Sequence, residues 1–250
     1  MIQIKNWLRR RHNVGALPDT VWEAVEASLP FLARLDPASR QRLRQLAIEF
    51  LEQKEFSGAA GQELGHELCL SVALQACLPV LNLGLAAYDG WVGIVIYPGD
   101  FVIPRSVVDE AGVLHDYEEV ALGEAWLGGP VVLSWFDDPS EYEGANVVIH
   151  EFAHKLDMLN GDADGLPPLH AGMSGEAWHD AFEAAYADMC ARVDAEEDTL
   201  IDPYATEDPA EFFAVTSEVF FVSPEVLFDE YPDVYRQLAA FYRQDPLALG

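Results

Sequence analysis

The stretch Val147-Val148-Ile149-His150-Glu151-Phe152-Ala153-His154-Lys155-Leu156-Asp157 decides how this chain is read. It is H-E-x-x-H on an apolar helix. At about 100° per residue, positions i and i+4 share one helix face a turn apart, so His150 and His154 converge on one point while Glu151 sits just off that axis. Two imidazoles so placed suit zinc, whose catalytic sites take three protein ligands and leave a fourth position to water. Zinc lowers the pKa of that water to roughly 7, and a carboxylate that is not a ligand then takes its proton and hands it on. That is the part read for Glu151. With seven histidines in the chain, the pattern arises by chance with a probability on the order of 2%. The plain alternative is a pair of surface histidines beside an unrelated Glu. Val147, Val148, Ile149 and Phe152 argue against it, because they make the helix a buried one, where uncompensated polar groups are costly.

A third ligand must come from elsewhere. The motif does not extend to a downstream His in the metzincin manner, since the Gly and His positions hold Asp157 and Asn160. The segment Asp208-Pro209-Ala210-Glu211-Phe212-Phe213-Ala214-Val215-Thr216-Ser217-Glu218 offers Glu211 and Glu218, seven residues apart and hence on one helix face. Glu211 has a second local reading: Asp208 is a good N-cap, Pro209 a good first residue, and Glu211 the third position of a capping box. Glu218 reads either as a partner behind a ligand or as a satisfied core carboxylate. Asp157, three residues after His154, reads as a carboxylate that fixes the histidine tautomer or as a solvated helix end. His12, His66, His115, His170 and His179 have no ligand spacing, though His170 and His179 follow the motif closely enough to flank a cleft.

Composition bounds the rest. The 250 residues carry 43 acidic and 14 basic side chains, a net charge of −29, and half are hydrophobic. That is enough apolar material for a core and excludes disorder. The charge repels phosphate backbones, which excludes direct nucleic-acid binding. It is unevenly spread: through Lys54 there are 9 basic and 6 acidic residues, and beyond it 5 and 37. Arg9-Arg10-Arg11 reads as a solvated helix end. Cys69, Cys77 and Cys190, odd in number and without paired spacing, read as free thiols in a reducing compartment, the cytoplasm. No leader pattern follows Met1. Leu68 to Tyr88 lacks charge over 21 residues, the length of a membrane span. Gln75, Pro79, Asn82 and Gly84 interrupt it, so a buried helix followed by irregular chain is expected, with no membrane.

Along the chain, helices are predicted from Asp36-Pro37 through Glu52, over Gly65–Leu78, Ala145–Leu159, Gly175–Glu196, Pro209–Val222 and near Tyr231–Tyr242. Strands are predicted at Trp91–Tyr97, closed by Pro98-Gly99, and at Pro130–Trp135. The expected class is α+β, with a small central sheet and helices on both sides in sequence. No repeat or linker divides the chain. One domain over 1–250 is expected, with 1–56 a helical part packed on the core.

His150 through Asp157, together with Tyr204 through Phe221, resembles the Mlc titration factor A family of bacterial zinc metallopeptidases. The likeness extends through Cys77-Leu78-Pro79-Val80-Leu81, Leu83-Gly84-Leu85, Ile96-Tyr97-Pro98, Asn160-Gly161-Asp162 and Phe241-Tyr242-Arg243-Gln244-Asp245-Pro246-Leu247. The resemblance implies a zincin-like core of the gluzincin type, similar to the protease domain of anthrax lethal factor. In that family a Glu seven residues after a catalytic Tyr completes the zinc site. Tyr204 and Glu211 have this spacing, so the resemblance makes Glu211 the third ligand and Tyr204 the donor to the oxyanion. Without the family, Tyr204 reads as an interface or core tyrosine. The resemblance further implies aminopeptidase-like action on small peptides and a tie to the glucose repressor Mlc, which the family sequesters. The rival from another class is a non-catalytic protein that titrates a transcriptional repressor. A third is a structural helix without metal.

Overall fold

Asp36 starts the first long helix. Its Oδ1 accepts the N–H groups of Ala38 at 2.8 Å and Ser39 at 3.0 Å, and Pro37 fills the first position. A computed structural model of the chain describes residues 17–108, 114–136 and 146–248. Arg9–Arg11, His12 and Ala145 lie outside the described residues, as does the side chain of His115. Helix α1 spans Asp19–Ala27 and α2 Pro37–Gln53. Leu43, Ala47 and Phe50 form the buried stripe of α2, at the i, i+4, i+7 spacing of one helix face. Arg44 grips Glu26 of α1 with two hydrogen bonds of 2.6 and 2.9 Å.

Helix α3, His66–Cys77, is buried at every position from Cys69 to Cys77. Twelve residues make only about 18 Å of helix, and among the described residues no helix is long and apolar enough to cross a membrane. Its apolar circumference instead makes it a central core helix.

Four strands form the main sheet. β1 is Glu55–Gly58, β2 Gly93–Pro98, β3 Phe101–Val108, β4 Leu114–Ala121, β5 Gly123–Ala125 and β6 Val131–Trp135. The order is β1-β2-β6-β5, with β1, β2 and β6 parallel and β5 antiparallel at the edge. The crossover from β1 to β2 carries α3, as a parallel pair requires. β3 and β4 form a separate antiparallel hairpin, registered from Phe101–Ala121 to Val108–Leu114. Sequence patterning anticipated β2 and β6 but not β1, β5 or the hairpin.

Helix α4 is Val147–Asp157, α5 Gly175–Asp194, α6 Pro209–Val222, α7 Pro224–Glu230 and α8 Pro232–Tyr242. The class is mixed α+β, with eight α-helices among the described residues. One cluster of buried residues runs from Trp22 to Tyr242. At its centre Phe152 of α4 meets the rings of Tyr88 at 5.1 Å, Phe50 at 5.6 Å and Trp91 at 5.8 Å. This contact turns the opposite face of α4, with His150 and His154, away from the core. Lys54 and Lys155 lie at 3.7 and 4.6 Å from the Trp91 ring centroid. Lys155 also donates to the carbonyls of Trp126 and Gly129 at 2.7 and 3.2 Å, tying α4 to the β5–β6 turn.

Candidate metal centre

The N-terminus of α4 is fixed by Asn146. Its Oδ1 accepts Ile149 N–H at 3.0 Å and its amide donates to Gln75 of α3 at 2.8 Å. Every residue of α4 is buried, so its polar side chains must find partners inside the protein. His150 and His154 place their Nε2 atoms 3.2 Å apart. Glu211, projecting from the first turn of α6, puts Oε2 2.9 Å from His150 Nε2 and 3.4 Å from His154 Nε2. The structure therefore brings together the three side chains singled out as ligands.

These separations test whether a divalent metal fits. Ligand atoms about 2.0–2.1 Å from a tetrahedral ion stand about 3.4 Å from one another, close to the three distances found. Two imidazole nitrogens and a carboxylate oxygen facing one point repel one another unless a cation lies among them. The electrostatics of these side chains agree. Burial pulls His150 down, but Glu211 and Glu218 outweigh it and hold the ring well above the ordinary histidine value. Burial raises Glu211, and the two histidines more than reverse that, holding it well below the ordinary carboxylate range. The pocket demands positive charge, and the donor set fits zinc.

Asp208 resolves the two local readings of Glu211. Its Oδ1 accepts the N–H groups of Ala210 and Glu211 at 2.8 and 2.9 Å, so the backbone of Glu211 is capped while its side chain reaches the histidines. Glu151 is 4% exposed, and burial pushes its carboxyl up to about 7 against the pull of His150 and His154. Its Oε2 has no hydrogen-bond partner among the described residues. Tyr204 stands in the short turn Pro203–Thr206, held by Asp202 Oδ1, which accepts Tyr204 N–H at 2.9 Å. Its ring is 46% exposed and centred 6.0 Å from that of His150. All five side chains line one open cavity of about 610 Å³.

Asp157 makes a bond that neither of its two sequence readings named. It is fully buried, and Oδ2 accepts the N–H of Gly165 at 2.8 Å, a bond to the loop after α4 rather than to His154. Burial pushes its carboxyl up to about 6. Gly165 has φ +81°, a left-handed conformation, and a Cβ there would sit 2.5 Å from the carbonyl oxygen of Pro209. Asp157 thus clasps this loop onto the start of α6, the turn that presents Glu211. His170 bonds the carbonyl of Phe241 at 2.7 Å and stacks on its ring, and exposed His179 pairs with Glu183 at 2.9 Å. Neither joins the centre.

Gly123 was not read from the sequence. It lies on edge strand β5, where an added Cβ would be 2.3 Å from Glu151 Oε1. A glycine inside a strand often marks such a close approach, but three residues give too little pattern to reveal the strand itself.

Two histidines, a glutamate and a buried non-ligating carboxylate at the floor of a cleft are the parts of a metal-dependent hydrolase. The chain belongs to the family of glucose-regulated metallo-peptidases M90, whose family model matches residues 4–243. It is similar to proteins named Mlc titration factor A. That of Cronobacter sakazakii is 39% identical over 245 residues, covering 96% of this chain and 92% of that protein. That of Klebsiella pneumoniae strain 342 is 40% identical over 230 residues, covering 90% and 86%. That of Serratia proteamaculans is 39% identical over 247 residues, covering 97% and 94%.

Proposed function

We propose that the chain is a cytoplasmic zinc peptidase of gluzincin type, with a zincin-like core, acting as an aminopeptidase on small peptides. The observation that carries this is the convergence of His150 Nε2, His154 Nε2 and Glu211 Oε2 within 3.4 Å beside buried Glu151. Residues 1–250 work as one unit in this reading, with the described part of 1–56 packed on the catalytic core. When bound, zinc supplies Lewis-acid polarisation of the scissile carbonyl and acidifies water.

The chain's own residues do the rest. Glu151, buried beside the two histidines on the cavity lining, is placed to take a proton from water and give it to the leaving amine. Tyr204, half-exposed at the cavity wall, donates its phenol O–H to the oxyanion as the carbonyl is attacked. β5, the edge of the sheet, lines the same cavity and offers backbone groups to an extended peptide. Among the described residues the lining includes Glu124, Asp202 and Asp208 and no Lys or Arg, which supports a substrate that brings an ammonium group.

The relatives' name, Mlc titration factor A, supports a second activity, binding of an Mlc-like repressor. The acidic surface suits a basic partner, and contact with DNA would then be through that partner. The test is metal analysis with peptide cleavage. Wild type should carry one zinc and cleave; Glu151→Gln should keep zinc and any repressor binding while losing cleavage. Wild type without zinc, or full cleavage by Glu151→Gln, refutes the peptidase reading. Repressor binding with no cleavage by zinc-loaded wild type leaves the non-catalytic reading in its place.

A further inference from the structure

Helix α6 reaches His150 twice. Glu211 and Glu218 are seven residues apart, so about 700° of rotation leaves them within about 20° of each other on the face turned to α4. Glu211 Oε2 lies 2.9 Å from His150 Nε2, and Glu218 Oε2 lies 3.7 Å from Nδ1. The imidazole is thus flanked by a carboxylate at each nitrogen. Both His150 and Glu218 are buried, at 8% and 7% exposed. A buried carboxylate is costly unless paired, and the ion-pair contact of Glu218 among the described residues is with His150.

Neutral imidazole has one N–H and one lone pair, and the partner of one nitrogen decides which is which. With a cation in the centre, a carboxylate facing Nδ1 keeps the proton there and leaves the Nε2 lone pair for the cation. His154 has no such support: its Nδ1 is buried without a hydrogen-bond partner among the described residues, and Asp157 is engaged by Gly165. The two histidines are therefore held unequally, and the support for His150 comes from the same helix that brings Glu211.

We infer that Glu218 is a positioning residue for the metal centre, fixing the tautomer and ring orientation with which His150 presents Nε2 to a divalent cation. The inference rests on the metal-centre reading above. A partner of this kind behind a metal-binding histidine contributes about 10- to 100-fold in metal affinity. The test is zinc affinity of the full chain, measured by competition with a chromophoric chelator, alongside the visible spectrum of the cobalt-loaded protein. Glu218→Gln keeps the shape and an acceptor oxygen but removes the charge. It should bind zinc about 10- to 100-fold more weakly, with an altered cobalt spectrum and an unchanged melting temperature of the metal-free protein. Glu218→Asp, which keeps the charge one methylene further back, should recover part of the affinity. Zinc affinity of Glu218→Gln within about twofold of wild type overturns the inference. So does a loss in both variants that tracks a fall in metal-free melting temperature, since that assigns Glu218 to the fold alone. Wild type that binds no zinc overturns the metal-centre reading along with it.

Discussion

Replacing Gly123 by Ala tests whether the position of Glu151 matters separately from the metal. The new Cβ would lie 2.3 Å from Oε1, 2.6 Å from Cγ and 2.7 Å from Cδ of Glu151. Ordinary carbon contacts begin near 3.5 Å, so the carboxylate or strand β5 must retreat by about 1 Å. Glu151 is 4% exposed and sits on a helix buried at every position, so it has little room to move aside. β5 is held by its ladder to β6, where Gly123 pairs with Leu133. A catalytic group displaced by about 1 Å costs up to about 100-fold in rate, or about 2.7 kcal/mol of barrier. Overpacking costs a further ~1–3 kcal/mol of stability, about 2–4 °C of melting temperature per kcal/mol at this length. The assay is kcat/KM on fluorogenic aminoacyl and short peptide substrates, well below the melting transition, with zinc per chain measured on the same samples. Gly123→Ala should cleave about 100-fold more slowly and keep its zinc, because the three donors are untouched. Activity within threefold of wild type, or zinc lost in step with activity, refutes the reasoning.

Other outcomes follow from the same geometry. Glu211→Ala should abolish zinc binding. Zinc at about 100 times its Kd stabilises by about 2.7 kcal/mol, so a chelator should lower the melting temperature of wild type by about 5–10 °C and leave that of Glu211→Ala unmoved. Tyr204→Phe should lower kcat by about 100- to 1,000-fold with little change in KM, and should leave the fold intact because the ring is half-exposed. Burial pushes the Cys69 thiol up to about 12, whereas the unfolded chain releases that proton near 8.5. Between those values the folded state binds more protons, so stability falls as pH rises, by about 1.4 kcal/mol per unit for this thiol. Denaturant unfolding of Cys69→Ala should show a shallower decline over that window; an unchanged decline counts against a protonated, buried Cys69.

Six of the eight described helices were legible because their signals are local; the short α1 and α7 were not predicted. Asp36-Pro37 and Asp208-Pro209 state in two residues where α2 and α6 begin, and each boundary falls there. The strands were legible only where apolar runs are long enough, as in β2 and β6. β1 has four residues and β5 three, and the β3–β4 hairpin carries Pro104, Arg105, Glu118 and Glu119. Such short or polar strands exist because a neighbour pairs with them: β1 pairs 38 residues away, while β5 and the hairpin pair within 20 residues but carry no long apolar run to mark them. Glu211 shows the same division within one residue. Its capping context is written in adjacent positions, but a carboxylate's direction depends on the helix packed opposite.

By itself, then, the sequence determined the helix that carries His150, Glu151 and His154, and the i, i+4 spacing that makes two imidazoles converge. It also determined the start of the helix that carries Glu211 and Glu218. Only the tertiary structure decided that both carboxylates of α6 meet His150, that Asp157 clasps Gly165 instead of His154, and that Gly123 lies against Glu151. The reason is physical. Helical periodicity is fixed by backbone geometry within a few residues, whereas these contacts join segments from 8 to 68 positions apart and exist only once the core has closed.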